Sequence, residues 1–339
     1  MSKTIILLVA AVLCGATATA QKAERPMTWQ TDTVFVHDPV MALEDGTYHL
    51  FATGNHIAHM TSRDRKTWTV YRDGLIKDIP AWTHDSVPGF EEHIWAPDII
   101  HFQGKWWLAY SCSTFGRNTS AIGLLSNTSL SDDKGWRDEG CVVSSKENRD
   151  NWNAIDPAFI VDEKGQPWMT FGSFWDGIQL VKLDNTMDIA KGEKPFTIAR
   201  RYPVGHKPAE ENPTSKYAGP NAIEAPFILK RGDWYYLFVS QDYCCRGMES
   251  TYRVAVGRSR QVAGPYLDRE GKDMAQGGGT VLLEGDKKEY EATGHSAAYD
   301  FPDGYLFICH GYSVAQKGAS ILVQRGISWD EQGWPVLAD

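Results

Sequence analysis

An all-β chain folded as a five-bladed β-propeller is what this sequence predicts, on two observations. The first is a phrase that occurs five times: a Pro-led or Ser-led apolar run, a Gly-containing turn, and a second apolar-aromatic run. It stands at HDPVMALEDGTYHLFATG from His37, WAPDIIHFQGKWWLAYSCS from Trp95, IDPAFIVDEKGQPWMTFGS from Ile155, NAIEAPFILKRGDWYYLFVS from Asn221 and GHSAAYDFPDGYLFICHGY from Gly294. Each copy reads as a β-hairpin. The second observation is spacing. Aligned on Pro39, Pro97, Pro157, Pro226 and Ser296, the copies lie roughly 60–70 residues apart, which is blade size. A unit with two long strands and room for two shorter ones cannot bury both faces alone, so it stacks radially against its copies. A weaker outer phrase, Ser62 to Trp68, has relatives from Ser126 and from Gly257 and fits the outer hairpin of a blade.

In chain order, residues 1–20 (MSKTIILLVAAVLCGATATA) have one Lys, a short apolar run and an Ala18-Thr19-Ala20 ending, the pattern of a secretory signal peptide. The run is too short for a lasting membrane span. Residues 21–339 are then one domain, a single five-bladed catalytic propeller entered through a polar arm, Gln21 to Thr33. The expected product is soluble, monomeric and exported to the periplasm or the medium, with no membrane partner. The formal charge of −9 and the absence of a Lys/Arg cluster argue against nucleic acid as a partner. Five cysteines follow the leader, an odd number that leaves a thiol unpaired. Buried free thiols are the simplest reading for Cys112 and Cys309, and Cys244 and Cys245 are placed to form a vicinal bridge. Helical character is confined to Asn185 to Lys191. The longer loops, Asp78 to Glu92, Val143 to Asn153, Gly205 to Pro220 and Gly271 to Gly294, all precede an anchor and open on one face, where binding sites are commonly built.

The residues before the anchors are Asp38, Ala96, Asp156, Ala225 and His295, and Glu224 stands one further back. Equivalent positions on five innermost strands converge at one end of the central channel, so these groups should meet there. Taken singly, an Asp-Pro dipeptide is more often a turn former than a catalyst. Blades two and four carry Ala where one and three carry Asp, however, so the fold does not require the acid. Carboxyl groups gathered at a channel mouth suit hydrolysis of a glycosidic bond, which needs one protonated and one ionised group with different pKa values. A third carboxylate, Asp156, would raise the pKa of Glu224 by like-charge repulsion. His295, otherwise a core histidine, is placed to hold a water-coordinated cation on the axis. Trp95, Phe115 and Trp175 are either core or platforms for a sugar face.

VHDP at Val36, HIWAPDI at His93, NAIDP at Asn153, GSFWDGI at Gly172, NAIEAPFI at Asn221, DYCCRGMESTYRVAVGRS at Asp242 and GHS at Gly294 occur in this order. The set resembles glycoside hydrolase family 43, and within it the α-1,5-L-arabinanases, over essentially the whole chain after the leader. The NDPNG-type motif of five-bladed fructan hydrolases is missing. The resemblance implies an inverting mechanism, with Asp38 as general base, Glu224 as general acid and Asp156 as pKa modulator. It also implies His295 beside a calcium-type ion, Asn153 and Ser173 as substrate contacts, and arabinan or arabino-oligosaccharides as substrate. The loops before anchors one and three carry single aromatics such as Trp152 and no long insertion, which favours an open groove and endo cleavage. The alternatives are exo release of short oligosaccharides, with Gly205 to Pro220 closing one end, a β-xylosidase or α-L-arabinofuranosidase of the same family, and a non-catalytic sugar-binding propeller.

Overall fold

A computed structural model describes residues 27–206, 208 and 211–338. The leader and the first residues of the arm lie outside them. Five antiparallel sheets follow one another along the chain. Their first strands are Val40–Glu44, His93–Phe102, Ala158–Val161, Ile223–Arg231 and Tyr290–Phe301, the five anchored segments of the repeat. Each pairs with the strand that follows it in the repeat, for example Val40 with Phe51 and Ile228 with Leu237. Tight turns make this possible: Asp45-Gly46 and Gln103-Gly104 all have positive φ, the geometry that matches the right-handed twist of a hairpin. Blade II gains Gly54–Asn55, which crosses from blade I to pair with His93 and Ile94. Asn185 to Lys191 is a turn segment, with Leu183 bridging Ile189, and the short helix lies instead at Trp82–Ser86.

The ring closes through the chain's first described residues. Met27–Thr31 pairs with Trp68–Tyr71 as a fifth strand of blade I. The chain then runs along blade V, where the Val36 N–H donates to Ser320 O (3.1 Å) and the Leu322 N–H to Val34 O (2.9 Å). Blade I is thereby bonded to blade V before its own first strand begins. The core lies between neighbouring blades. Trp107, Phe159, Met169 and Phe171 fill one interface, and Ile178, Leu180, Ile228 and Leu237 the next. Burying each such side chain is worth about 1.5–3 kcal/mol, so the ring is held mainly by apolar surface that a single blade would expose.

The repeat extends to backbone conformation. Asp38, Ala96, Asp156, Ala225 and His295 all have left-handed φ, between 36° and 57°. Strand register shifts beside them, between Trp95 and Asp98, Glu224 and Phe227, and Gly294 and Ala297. A bulge of this kind re-aims the neighbouring side chains, here toward the channel mouth. Left-handed φ at a non-glycine residue costs about 1–3 kcal/mol and persists only where the surroundings hold it. Four of the five N–H groups are held by side chains at one repeat-equivalent position of the preceding blade. Ala96 N–H donates to Thr53 Oγ1 (2.8 Å), Asp156 to Ser111 Oγ (3.0 Å), His295 to Ser240 Oγ (2.8 Å) and Asp38 to His310 Nδ1 (3.1 Å). In blade III that position is Gly172, which has no side chain to offer. The Ala225 N–H donates to Asp156 Oδ2 instead (3.1 Å).

Candidate active site

These bulges bring Asp38, Asp156, Glu224 and His295 into the wall of one cavity of about 440 Å³. All four are buried, at 7–9% exposure. Asp38 is the most heavily held. Its Oδ1 lies 2.8 Å from His37 Nδ1 and 2.9 Å from His295 Nδ1, and its Oδ2 accepts the Thr53 hydroxyl at 2.5 Å. Burial alone would push its pKa up, but the two histidines outweigh it and hold the carboxyl well below the usual range. Glu224 is in the opposite regime. Burial pushes its pKa up, and hydrogen bonds from Ser173 and Tyr252 offset part of the rise. Ser173 Oγ donates to Glu224 Oε2 at 2.7 Å. Asp156 is raised to about 8, first by burial and then by the charges of Glu224 and Asp38, against the opposing pull of His295. His295 is pushed up to about 9 because the carboxylates, Asp38 foremost, outweigh its burial.

At neutral pH the site therefore holds an ionised carboxylate, Asp38, clamped by an imidazolium, and a proton on the Asp156 and Glu224 side of the cavity. The high pKa of Glu224 arises first from burial, where the sequence pointed to the charge of Asp156. Asp156 Oδ2 also accepts the N–H of Ala225, the residue after Glu224.

Trp95, Phe115 and Asn153 also line the cavity. Phe115 is 60% exposed, as a sugar platform would be. Asn153 Oδ1 accepts from Ser120 Oγ (2.6 Å), which orients its amide. Ser173 lines the cavity too, but its hydroxyl proton is committed to Glu224. Trp175 is not among the lining residues. Phe174 takes that place, because both residues have left-handed φ (56° and 38°) and the loop turns Trp175 away. The Trp175 N–H donates to Ala218 O, and its carbonyl accepts from Asn221.

Several site residues were not anticipated. Ser215 and Tyr217, in the loop before the fourth anchor, reach over to the loop after the second strand of blade II. Ser215 Oγ donates to Gly116 O (2.8 Å), the Arg117 guanidinium lies 3.9 Å from the centre of the Tyr217 ring, and Thr214, Ser215 and Ala218 form cavity wall. Tyr243 and the disulfide-bonded pair Cys244–Cys245 form another part of it. Cys112 and Cys309 are buried free thiols, as expected, and Cys141 is free. The pinning residues Thr53, Ser111, Ser240 and His310 were visible in principle, since they share one position of the repeat.

Among the described residues, His37, Asp38 and His310 are the group close enough to share an ion. Their ligand atoms are already engaged with one another: His310 Nδ1 accepts the Asp38 N–H, and His37 Nδ1 meets the Asp38 carboxylate. Calcium prefers oxygen ligands, and this trio offers a single carboxylate.

Two carboxyls in one cavity, with pKa values pushed in opposite directions, suit a glycoside hydrolase. The chain matches the family described as glycosyl hydrolases family 43 over residues 31–335, and it belongs to that family. It is 43% identical over 328 residues to the extracellular exo-α-(1→5)-L-arabinofuranosidase ArbA of Cellvibrio japonicus, covering 96% of this chain and 90% of that protein. It is 38% identical over 330 residues to the extracellular endo-α-(1→5)-L-arabinanase 1 of Bacillus subtilis, covering 96% and 95%. Among solved structures it superposes on an exo-1,5-α-L-arabinanase from a bovine ruminal metagenomic library with a TM-score of 0.85 and 53% identity, covering 91% of this chain and 98% of that one.

Proposed function

We propose that the protein is an inverting α-1,5-L-arabinanase that releases short arabino-oligosaccharides from a chain end. The substrate class follows from the arabinan-directed relatives, both exo and endo. The observation that carries the exo reading is the bridge from Ser215 and Tyr217 to Gly116 and Arg117. This loop is fixed to another blade and lines one side of the cavity, which favours a closed end over a through-groove. The expectation of endo cleavage rested on the short loops before anchors one and three, with Gly205 to Pro220 already the loop able to close one end; endo action is the alternative reading.

In this reading Asp38, ionised, takes a proton from the attacking water, and Glu224, protonated, delivers one to the leaving oxygen on the opposite face of the sugar. His37, His295 and Thr53 fix the Asp38 carboxylate, while Ser173 and the Ala225–Asp156 contact fix Glu224. Trp95 and Phe115 offer aromatic faces to the furanose rings. With linear arabinan, viscosity should fall only in proportion to reducing ends, with one short product from the earliest time points. An early collapse of viscosity with a ladder of products would make the enzyme endo-acting.

A calcium-type cation at His295 is part of the proposal. It would supply positive charge in place of the second imidazolium proton, leaving Nδ1–H on Asp38. His295→Ala or prolonged chelation should lower activity more than melting temperature. A fully active His295→Ala variant would reduce the histidine to packing. The leader pattern, together with relatives named as extracellular, supports export of the enzyme. No helix among the described residues is long and apolar enough to cross a membrane.

A further inference from the structure

The loop from Asp242 to Thr251 in blade IV has a fixed stem and an unusual tip. Asp242 is ion-paired to Arg201 (2.8 Å) and Arg253 (3.2 Å), and the Thr251 N–H donates to Tyr243 O (2.9 Å). At the tip the sequence-adjacent Cys244 and Cys245 are joined by a disulfide, with Cys245 in a left-handed conformation (φ 65°). Cys244 packs on the cluster of Tyr252, Ala292 and Tyr312. The short ring that such a bridge closes includes the peptide between the two cysteines, so it restricts the direction of the Cys245 N–H.

That N–H donates to Tyr312 Oη at 2.7 Å. Tyr312 Oη lies 2.9 Å from His37 Nε2, and His37 Nδ1 lies 2.8 Å from Asp38 Oδ1. The direction of this chain of hydrogen bonds is set from both ends. The amide at one end can only donate, and the ionised carboxylate at the other can only accept. His37 Nδ1 carries a proton toward Asp38, its Nε2 meets Tyr312 Oη, and Tyr312 Oη in turn accepts from the Cys245 N–H. The Ser250 hydroxyl also hydrogen-bonds Tyr312, and the His310 ring, stacked on His37 at 3.9 Å, holds the imidazole plane. On the other oxygen of Asp38 the same logic runs from the Ala96 N–H through Thr53. Asp38 thus ends two relays that each begin at a backbone amide, and one of those amides is held by a disulfide.

We propose that the Cys244–Cys245 disulfide and Tyr312 are positioning residues that act through His37 to hold Asp38 in its working orientation. This rests on the reading of Asp38 as the base. With the bridge open, the Cys245 peptide is free to turn, Tyr312 loses the donor that fixes its proton, and His37 loses the partner that fixes its ring. Misplacing a reacting group by a fraction of an ångström lowers kcat while leaving substrate affinity largely alone.

Three variants, Tyr312→Phe, Cys244→Ala/Cys245→Ala, and all three substitutions together, are assayed on linear arabinan beside Asp38→Asn, with melting followed by circular dichroism. Tyr312→Phe and the cysteine pair are each expected to lower kcat about tenfold or more with KM within about twofold. The triple variant should be no slower than the slower of the two, because both cut one relay. Costs that multiply in the triple variant, or a wild-type kcat in either parent, would overturn the proposal. If the cysteine variant does not fold, wild-type enzyme treated with a phosphine reductant should lose kcat and regain it on reoxidation; unchanged kcat after reduction overturns the idea equally. Non-reducing peptide mapping must find the pair bridged, and two free thiols would reject it outright. An inactive Asp38→Asn beside a fully active Tyr312→Phe would defeat the relay alone. An active Asp38→Asn would instead defeat the assignment of the base.

Discussion

Asp38→Asn and Glu224→Gln should each lower kcat on linear arabinan by about 10²–10⁴-fold, the usual worth of general acid or base assistance, while both proteins fold. The two substitutions keep shape and remove charge or acidity. The amide introduced by Asp38→Asn would still occupy a site built for two N–H donors and the Thr53 hydroxyl, but it cannot take a proton from water. The amide introduced by Glu224→Gln would keep the Ser173 contact but cannot deliver a proton. Neither carboxyl is needed for the bulge it sits beside, since blades II and IV form the same left-handed bend at Ala96 and Ala225. Near-normal activity in either variant would remove its assigned role, and unfolding of both would show that the carboxyls serve the blade.

The second large effect is on pH dependence. Asp38 must be ionised, and its pKa is held well below the usual carboxylate range, so kcat/KM should persist to unusually low pH before its acid limb appears. Glu224 must be protonated, and its pKa is raised alongside that of Asp156, which stands at about 8. Two buried carboxyls this close titrate as a pair. Activity should therefore fall only as pH rises through the range in which the pair gives up its proton, above that of an ordinary glutamic acid, by about tenfold per pH unit beyond it. In Glu224→Gln the residual activity should lose this alkaline limb and keep the acid one. A profile that already declines above about pH 5, as an unperturbed glutamic acid would give, would mean that burial does not keep Glu224 protonated.

Both the blades and the meeting of the acids were legible in the sequence, and for one reason. A repeat fixes equivalence, and equivalent positions on five inner strands must converge. The same alignment carried to the second strands would have shown Thr53, Ser111, Gly172, Ser240 and His310 in one position, and with them the clasp on four of the five left-handed residues. Other features were not legible because they depend on contacts between distant segments. Whether Phe174 or Trp175 faces the cavity turns on the sign of φ at two adjacent residues, which Ala218 and Asn221 hold from another loop. Closure of the ring by Val34 to Val36 on blade V follows from geometry at the seam, where the repeat is broken. The reach of Ser215 and Tyr217 to blade II is set by a loop whose composition says little about its direction. The Cys244–Cys245 pair was visible as a possible bridge, but its link to Tyr312 and His37 was not.

The central claim is that Asp38 activates water on one face of the sugar while Glu224 protonates the leaving group on the other. The measurement that tests it most directly is ¹H NMR of the first anomeric product formed from an arabino-oligosaccharide, recorded before mutarotation. A β-configured reducing end, opposite to that of the α-linked substrate, is the result this account predicts. An α-configured first product would require a covalent intermediate and would contradict it.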